Sequence, residues 1–234
     1  MAARGPAVGL LSSSPMPELV RSPSDTLFRA VIFDLGGVVC ESPLAAIAAY
    51  EAEIGLPVRF IPGLVIAGGD HGPWSCLERG ELDPAAFSIA FATEARAAGH
   101  DLDATALLRR IAAAALVRLN MLAVLRQLRT AGLRVAALTN SWSMPVHDAR
   151  VDALRPEFDC FVESHRVGMR KPERRIYELV CRTLAVQPAA AILLDDLGGN
   201  LKPARAMGMT TIKVGEPALA IAELERLTGV ALSR

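Results

Sequence analysis

Four short segments spread along the chain carry side chains able to do chemistry together: Asp34-Leu35-Gly36-Gly37, Thr139-Asn140, Lys171-Pro172 and Asp195-Asp196. They offer a carboxylate nucleophile, a hydroxyl and an amide that can grip an oxyanion, a cation, and two further acids of the kind that hold a metal. That set suits phosphoryl transfer through an aspartyl intermediate. A phosphomonoester is doubly charged and repels an attacking carboxylate unless its charge is neutralised, a task for Mg²⁺ and for Lys171 as a point charge. Asp34, Asp195 and Asp196, crowded without a metal, would raise one another's pKa, so the cluster itself argues for a bound cation. Taken singly, each segment has an ordinary reading. An Asp after a strand commonly caps a helix or starts a turn, Gly36-Gly37 can be a tight turn, Thr139-Asn140 another, and Lys171 a solvated lysine. Their joint placement is what points to a site.

That placement depends on the elements around them. Ala30-Val31-Ile32-Phe33 reads as a buried strand, short and continuously apolar, ending at Asp34. Residues 133–138, 190–194 and 209–214 resemble it, and 158–162 is a weaker fifth candidate. Helical stripes separate them: Met121, Val124, Leu125 and Leu128 before the stop at Gly132, and Ile176, Val180 and Leu184 further on. Pro172 is expected to open the helix that follows Lys171. Strand–helix alternation with wholly apolar strands predicts an α/β fold, a Rossmann-like three-layer parallel sheet covered on both faces. In such a sheet ligands bind at the carboxyl ends of the strands. Asp34, Thr139 and Asp195-Asp196 all fall there.

Residues 43–117 break the rhythm, with helices expected at 43–55, 83–99 and 103–117. The middle one has Asp83 as N-cap, Pro84 in its first turn and Gly99 just past its end. A crossover needs only about a dozen residues. The excess predicts an inserted all-helical cap over the sheet edge. The core is then 28–42 together with 118–234, and residues 1–27, rich in Pro, Ser and Gly, are expected to be a disordered tail.

Charge balances at 25 basic and 25 acidic residues with no basic face evident, which argues against nucleic acid. No apolar run reaches the roughly 18 residues of a membrane span. The tail lacks the apolar stretch of a secretory signal; Arg4 and Arg21 leave an organelle-targeting reading open beside the expected cytoplasmic one. The four cysteines, Cys40, Cys76, Cys160 and Cys181, are far apart and are expected to be reduced thiols.

The order and wording of the segments resemble the haloacid-dehalogenase-like hydrolase superfamily from about Ala30 to Val214. VIFDLGGVV resembles its first motif, ALTNS the second, GMRKPERRIY the third and LLDDLGGNLKPARAMGM the fourth, with Asn200 inside it. The closest flavour is the phosphatase-like group that includes the N-terminal domains of soluble epoxide hydrolases and domains attached to some acyl-CoA dehydrogenases. WSCLERGEL, 74–82, also looks like a cap segment of that group. The resemblance implies Asp34 as nucleophile, Thr139 and Asn140 on the phosphoryl oxygens, Lys171 as the catalytic cation, and Mg²⁺ at Asp34, the Gly36 carbonyl and Asp196, with Asp195 close by. The substrate it implies is a small phosphorylated metabolite.

One part departs from the pattern. Relatives that hydrolyse phosphate esters usually carry a second Asp where this chain has Gly36, serving as general acid to the leaving group. Such help is worth roughly 10²–10⁴-fold. His71, Glu78 and Glu41 are substitutes by residue type; otherwise the leaving group needs no acid, or the chain binds phosphorylated ligands and turns them over poorly. The leading expectation is a Mg²⁺-dependent phosphatase. The alternatives are a catalytically weakened ligand-binding domain and a haloacid dehalogenase, the last opposed by the acidic pair, which would hinder an anionic substrate.

Overall fold

Val31 and Phe33 point to one side of their strand and Ala30 and Ile32 to the other, and all four are wholly buried, so this segment can only lie inside a sheet covered on both faces. It does. In the computed structural model, which describes Met1 and residues 27–233, β1 (Ala30–Phe33) is the central strand of a five-stranded parallel sheet ordered β3-β2-β1-β4-β5. Its neighbours are β2 (Arg134–Thr139) and β4 (Ala191–Asp195), with β3 (Cys160–Glu163) and β5 (Thr210–Lys213) at the edges. Phe33 is in register with Ala137 and Leu194, so Asp34, one residue on, comes level with Asp195.

Each face of the sheet has its own apolar layer. On one side Val31, Phe33, Val135 and Leu194 pack under α6 (Leu119–Thr130) and α11 (Pro217–Thr228). On the other, Ile32, Leu138 and Leu193 meet α9 (Arg174–Leu184) and α10 (Gly198–Ala206). The stripes of α6 and α9 are the ones the sequence presents: Met121, Val124, Leu125 and Leu128, then Ile176, Val180 and Leu184, are all buried. The three-layer α/β core matches the expectation. Pro172 differs from it. The Lys171–Pro172 bond is cis, and the helix opens two residues later, at Arg174, after Glu173.

Between β1 and β2 lie α1 (Pro43–Glu53), α2 (Phe60–Gly68), α3 (Pro73–Glu78), α4 (Pro84–Ala97) and α5 (Ala104–Ala114). Asp83 and Asp103 cap α4 and α5 by accepting from Ala86 N at 2.7 Å and Ala106 N at 3.0 Å. These helices enclose a third apolar cluster around Phe87, Phe91, Leu107 and Leu108. The insert therefore has a core of its own. Its two connections to the sheet run side by side, Glu41 N donating to Leu116 O (2.8 Å) and Arg118 N to Val39 O (2.9 Å). α7 (Pro145–Leu154) and the short α8 (Ser164–Val167) follow β2 and β3.

All four cysteines are free, three of them buried. Among the described residues no helix is long and apolar enough to cross a membrane. The expected disordered tail and its targeting alternative lie outside the described residues, apart from Met1 and Leu27.

Candidate active site

β1 ends at Phe33 because the chain turns sharply after Asp34, whose amide still reaches the sheet at Leu194 O (2.9 Å). The turn needs a glycine at one place. Gly37 has φ +78°, and a Cβ there would lie 2.2 Å from Asp196 Oδ2. Its bare backbone lets the Asp196 carboxylate come close. At Gly36 the φ is ordinary, and a Cβ would meet only the Pro43 ring at 3.5 Å. Arg118 braces the loop from below, donating to Gly37 O and to Glu41 Oε2, both at 2.9 Å.

Lys171 lies beneath this loop, fully buried. Its Nζ is 2.9 Å from Asp34 Oδ1 and 2.7 Å from Asp195 Oδ2. An ammonium so far from water holds its charge only because two carboxylates face it: burial pulls its pKa down, but Asp34 and Asp195 outweigh that, and Lys171 titrates above its usual value. The Asp195 carboxylate is saturated, accepting from Leu197 N (2.8 Å) and Asn200 Nδ2 (3.0 Å) as well as from Lys171. It supports the lysine and does not line the cavity above. Asp34, Gly36, Thr139, Asn140, Lys171 and Asp196 do line it.

Could this cluster hold a metal? Asp34, Asp195 and Asp196 each offer a carboxylate oxygen within 4.8 Å of the others. Burial, offset in part by Lys171 and reinforced by the two neighbouring carboxylates, pushes Asp34 up to about 8. Asp196 is raised as well, by burial and by Asp195. Three carboxyl groups share one ammonium, so the site is short of positive charge for all of them to ionise, and all its donors are hard oxygens. That donor set fits Mg²⁺.

Asn140 has a task that its sequence position did not reveal. Its Oδ1 accepts from Lys171 N (2.8 Å), and its Nδ2 donates to Lys171 O (2.9 Å) and to Glu78 Oε2 (3.0 Å). The side-chain amide expected on a phosphoryl oxygen is thus committed to the lysine loop and to Glu78. Thr139 Oγ1 makes only a long contact, 3.3 Å to Asn140 O, and stays available to a ligand. Of the three substitute acids, His71 is exposed and outside the cavity lining. Glu41 is held below the usual carboxylate range by its hydrogen bond to Arg118. Glu78 accepts from three donors, Trp74, Asn140 and Arg170, which engage both its oxygens. Sequence reasoning missed Arg118 and Arg170, whose partners lie 77 and 92 residues away in the chain.

The cavity, about 250 Å³, runs from these polar groups into the interface with the insert. Apolar side chains line it too, Val65, Ile111 and Val117 from the insert and Trp142 and Leu154 from beyond it. The polar groups suit an oxyanion and a cation; the apolar ones suit hydrocarbon.

The sequence profile of the haloacid dehalogenase-like hydrolases matches residues 28–208, and the chain belongs to that family. It is 36% identical over 208 residues to mouse acyl-CoA dehydrogenase family member 10, covering 88% of this chain and 20% of that protein. It is 34% identical over 218 residues to pig bifunctional epoxide hydrolase 2, covering 87% of this chain and 39% of that one. The chain thus spans well under half the length of these two relatives. A sesquiterpene phosphatase from Aspergillus oryzae is 26% identical over 208 residues, covering 87% of this chain and 98% of the relative. A family enzyme from Bacteroides thetaiotaomicron, solved with magnesium and inorganic phosphate, shares the fold with a TM-score of 0.57, at 19% identity, over 80% of this chain and 94% of that one.

Proposed function

We propose that the chain is a Mg²⁺-dependent phosphatase acting, through Asp34, on a phosphomonoester with an apolar organic group. The observation that carries this reading is the buried ammonium of Lys171, set between Asp34 and Asp195 in a cavity that apolar side chains also line. The phosphatase activity in the name of the Aspergillus relative, and the magnesium and phosphate bound to the Bacteroides enzyme, support it.

In this mechanism an Asp34 carboxylate oxygen attacks phosphorus. The P–O bond to the organic group breaks, and its oxygen leaves with the electron pair and takes a proton from water. Water then attacks the phosphorus of the aspartyl phosphate, releasing inorganic phosphate and restoring the carboxylate. Lys171 and the Thr139 hydroxyl hold phosphoryl oxygens while Asp195 and Asn200 keep Lys171 in place. Asp34, the Gly36 carbonyl and Asp196 would hold Mg²⁺, with Asp195 behind them; bound there, the ion neutralises phosphoryl charge. The helical insert, 43–117, serves as a cap that walls the organic group off from water.

Gly36 favours a second reading, a domain that binds phosphate esters without turning them over. One assay separates the two. Release of p-nitrophenol from p-nitrophenyl phosphate that requires Mg²⁺ and disappears in Asp34→Asn supports the phosphatase; phosphate or vanadate binding with no release supports the binding domain. Turnover unaffected by Asp34→Asn would end the aspartyl mechanism.

A further inference from the structure

Glu78 is the last residue of α3, in the insert, and is 7% exposed. A buried carboxylate needs partners, and two of its three come from the sheet domain. Arg170 Nε donates to its Oε2 at 2.6 Å and Asn140 Nδ2 to the same oxygen at 3.0 Å, while Trp74 Nε1 of the insert donates to Oε1 at 3.0 Å. Arg170 precedes Lys171 in the chain. Asn140 grips Lys171 on both its backbone N–H and its carbonyl. Glu78 therefore holds the lysine loop twice, directly through Arg170 and indirectly through the Asn140 amide. Nearby, Trp74 of the insert meets Trp142 of the sheet domain edge to face, ring centres 5.9 Å apart. Lifting the insert by an ångström or two would strip Arg170 of this acceptor and leave Asn140 only its bonds to Lys171.

From this linkage we infer that Glu78 is a positioning residue: when the insert is seated, its carboxylate fixes the loop that places Lys171 between Asp34 and Asp195. Phosphate is gripped well only when the insert is down. The inference rests on the reading of Lys171 as the phosphate-binding cation, but it does not require turnover.

Two opposite effects make it testable. Glu78 also lines the cavity, so if it merely sat beside a bound dianion, removing its charge would tighten anion binding. If it positions Lys171, removing it weakens binding. The experiment is calorimetry with inorganic phosphate in the presence of Mg²⁺ on the full chain and on Glu78→Gln, a variant of equal size. The expected result is binding weaker by about tenfold, the scale of one lost hydrogen bond between charged groups. Acrylamide quenching of the two tryptophans should rise in parallel as the insert loosens. Glu78→Asp, which keeps the charge but withdraws it by one methylene, should behave likewise and serves if the glutamine variant does not fold. Equal or tighter phosphate binding in the folded variant overturns the inference. A wild-type chain that binds phosphate yet hydrolyses no ester would refute the proposed phosphatase and leave this test intact.

Discussion

Gly36 is the position at which a single substitution should tell most about the chemistry. Placing a carboxylic acid there, Gly36→Asp, offers a proton to the departing oxygen from a position that now has no side chain. The structure has room for its Cβ. The φ of Gly36 is ordinary, and the nearest atoms to the new Cβ are Pro43 Cδ at 3.5 Å and Cγ at 3.9 Å, normal van der Waals contact. The loss of glycine's freedom in the unfolded chain stabilises by roughly 0.4–1 kcal/mol and works against the repulsion a further carboxylate meets near Asp34 and Asp196, so urea unfolding of the variant is measured beside its kinetics. General acid help of about 10²-fold or more lowers the barrier by about 3 kcal/mol, but only where the leaving group needs it. An alkoxide does; p-nitrophenolate, a far weaker base, does not. Alkyl phosphates should therefore gain about 10²-fold in kcat/KM, while p-nitrophenyl phosphate changes by less than about threefold. The assay is kcat/KM with Mg²⁺ across phosphate esters graded in leaving-group acidity, for both proteins. In the wild type the rate should fall steeply along the series; in the variant the slope should flatten. A folded variant with an unchanged slope would refute the reasoning and show that another group already delivers the proton.

Other substitutions test the remaining parts. Gly37→Ala puts a methyl 2.2 Å from Asp196 Oδ2 and a side chain at φ +78°, so Mg²⁺ affinity by calorimetry should fall at least about tenfold, and the strain should cost about 1–2 kcal/mol in denaturant unfolding. Lys171→Met strands Asp34 and Asp195 as buried, unpaired carboxylates. Without Mg²⁺ its stability to urea should drop by about 3–5 kcal/mol, and a loss below about 1 kcal/mol would mean that the ammonium is not their partner in solution. Asp196→Asn should weaken Mg²⁺ binding; undiminished affinity would remove Asp196 from the metal site. Asp34→Asn should keep the fold, by circular dichroism, while abolishing turnover.

The sheet was legible in the sequence because its strands β1 and β4 are buried on both faces and nothing interrupts their apolar runs before the last residue. Yet the sequence reading stops short at the end that matters. Residues 133–138, 158–162 and 190–194 each end one residue before the observed strands, which run on to Thr139, Glu163 and Asp195. Those last residues keep the backbone ladder while their polar side chains break the apolar pattern. In the insert, Asp83 gave its helix away as a cap. α2 did not announce itself, because FIPGLVIAG carries Pro62 and Gly63 within its first turns and its start is capped by the distant Glu51, which accepts from Ile61 N at 2.7 Å. That Asp34, Thr139 and Asp196 would gather at one end of the sheet was readable from residue types at strand ends. The bracing by Arg118, Arg170 and Glu78 was not, since it joins segments 77 to 92 residues apart that no local period connects.

The side-by-side strands of the neck, with Glu41 N and Leu116 O 2.8 Å apart, have a consequence for how such a protein can change. To the sheet, everything between those two residues is one closed loop whose ends already touch. The entropy of closing a flexible loop grows only with the logarithm of its length, about 0.6 kcal/mol for each doubling. The domain beneath would hardly register a longer or shorter insert, provided the insert builds its own core, as this one does around Phe87 and Leu107. The neck is thus a graft point. New walls for the cavity can be tried out there while the carboxylates and the strands that hold them go on undisturbed, provided a carboxylate still meets Arg170 where Glu78 does now.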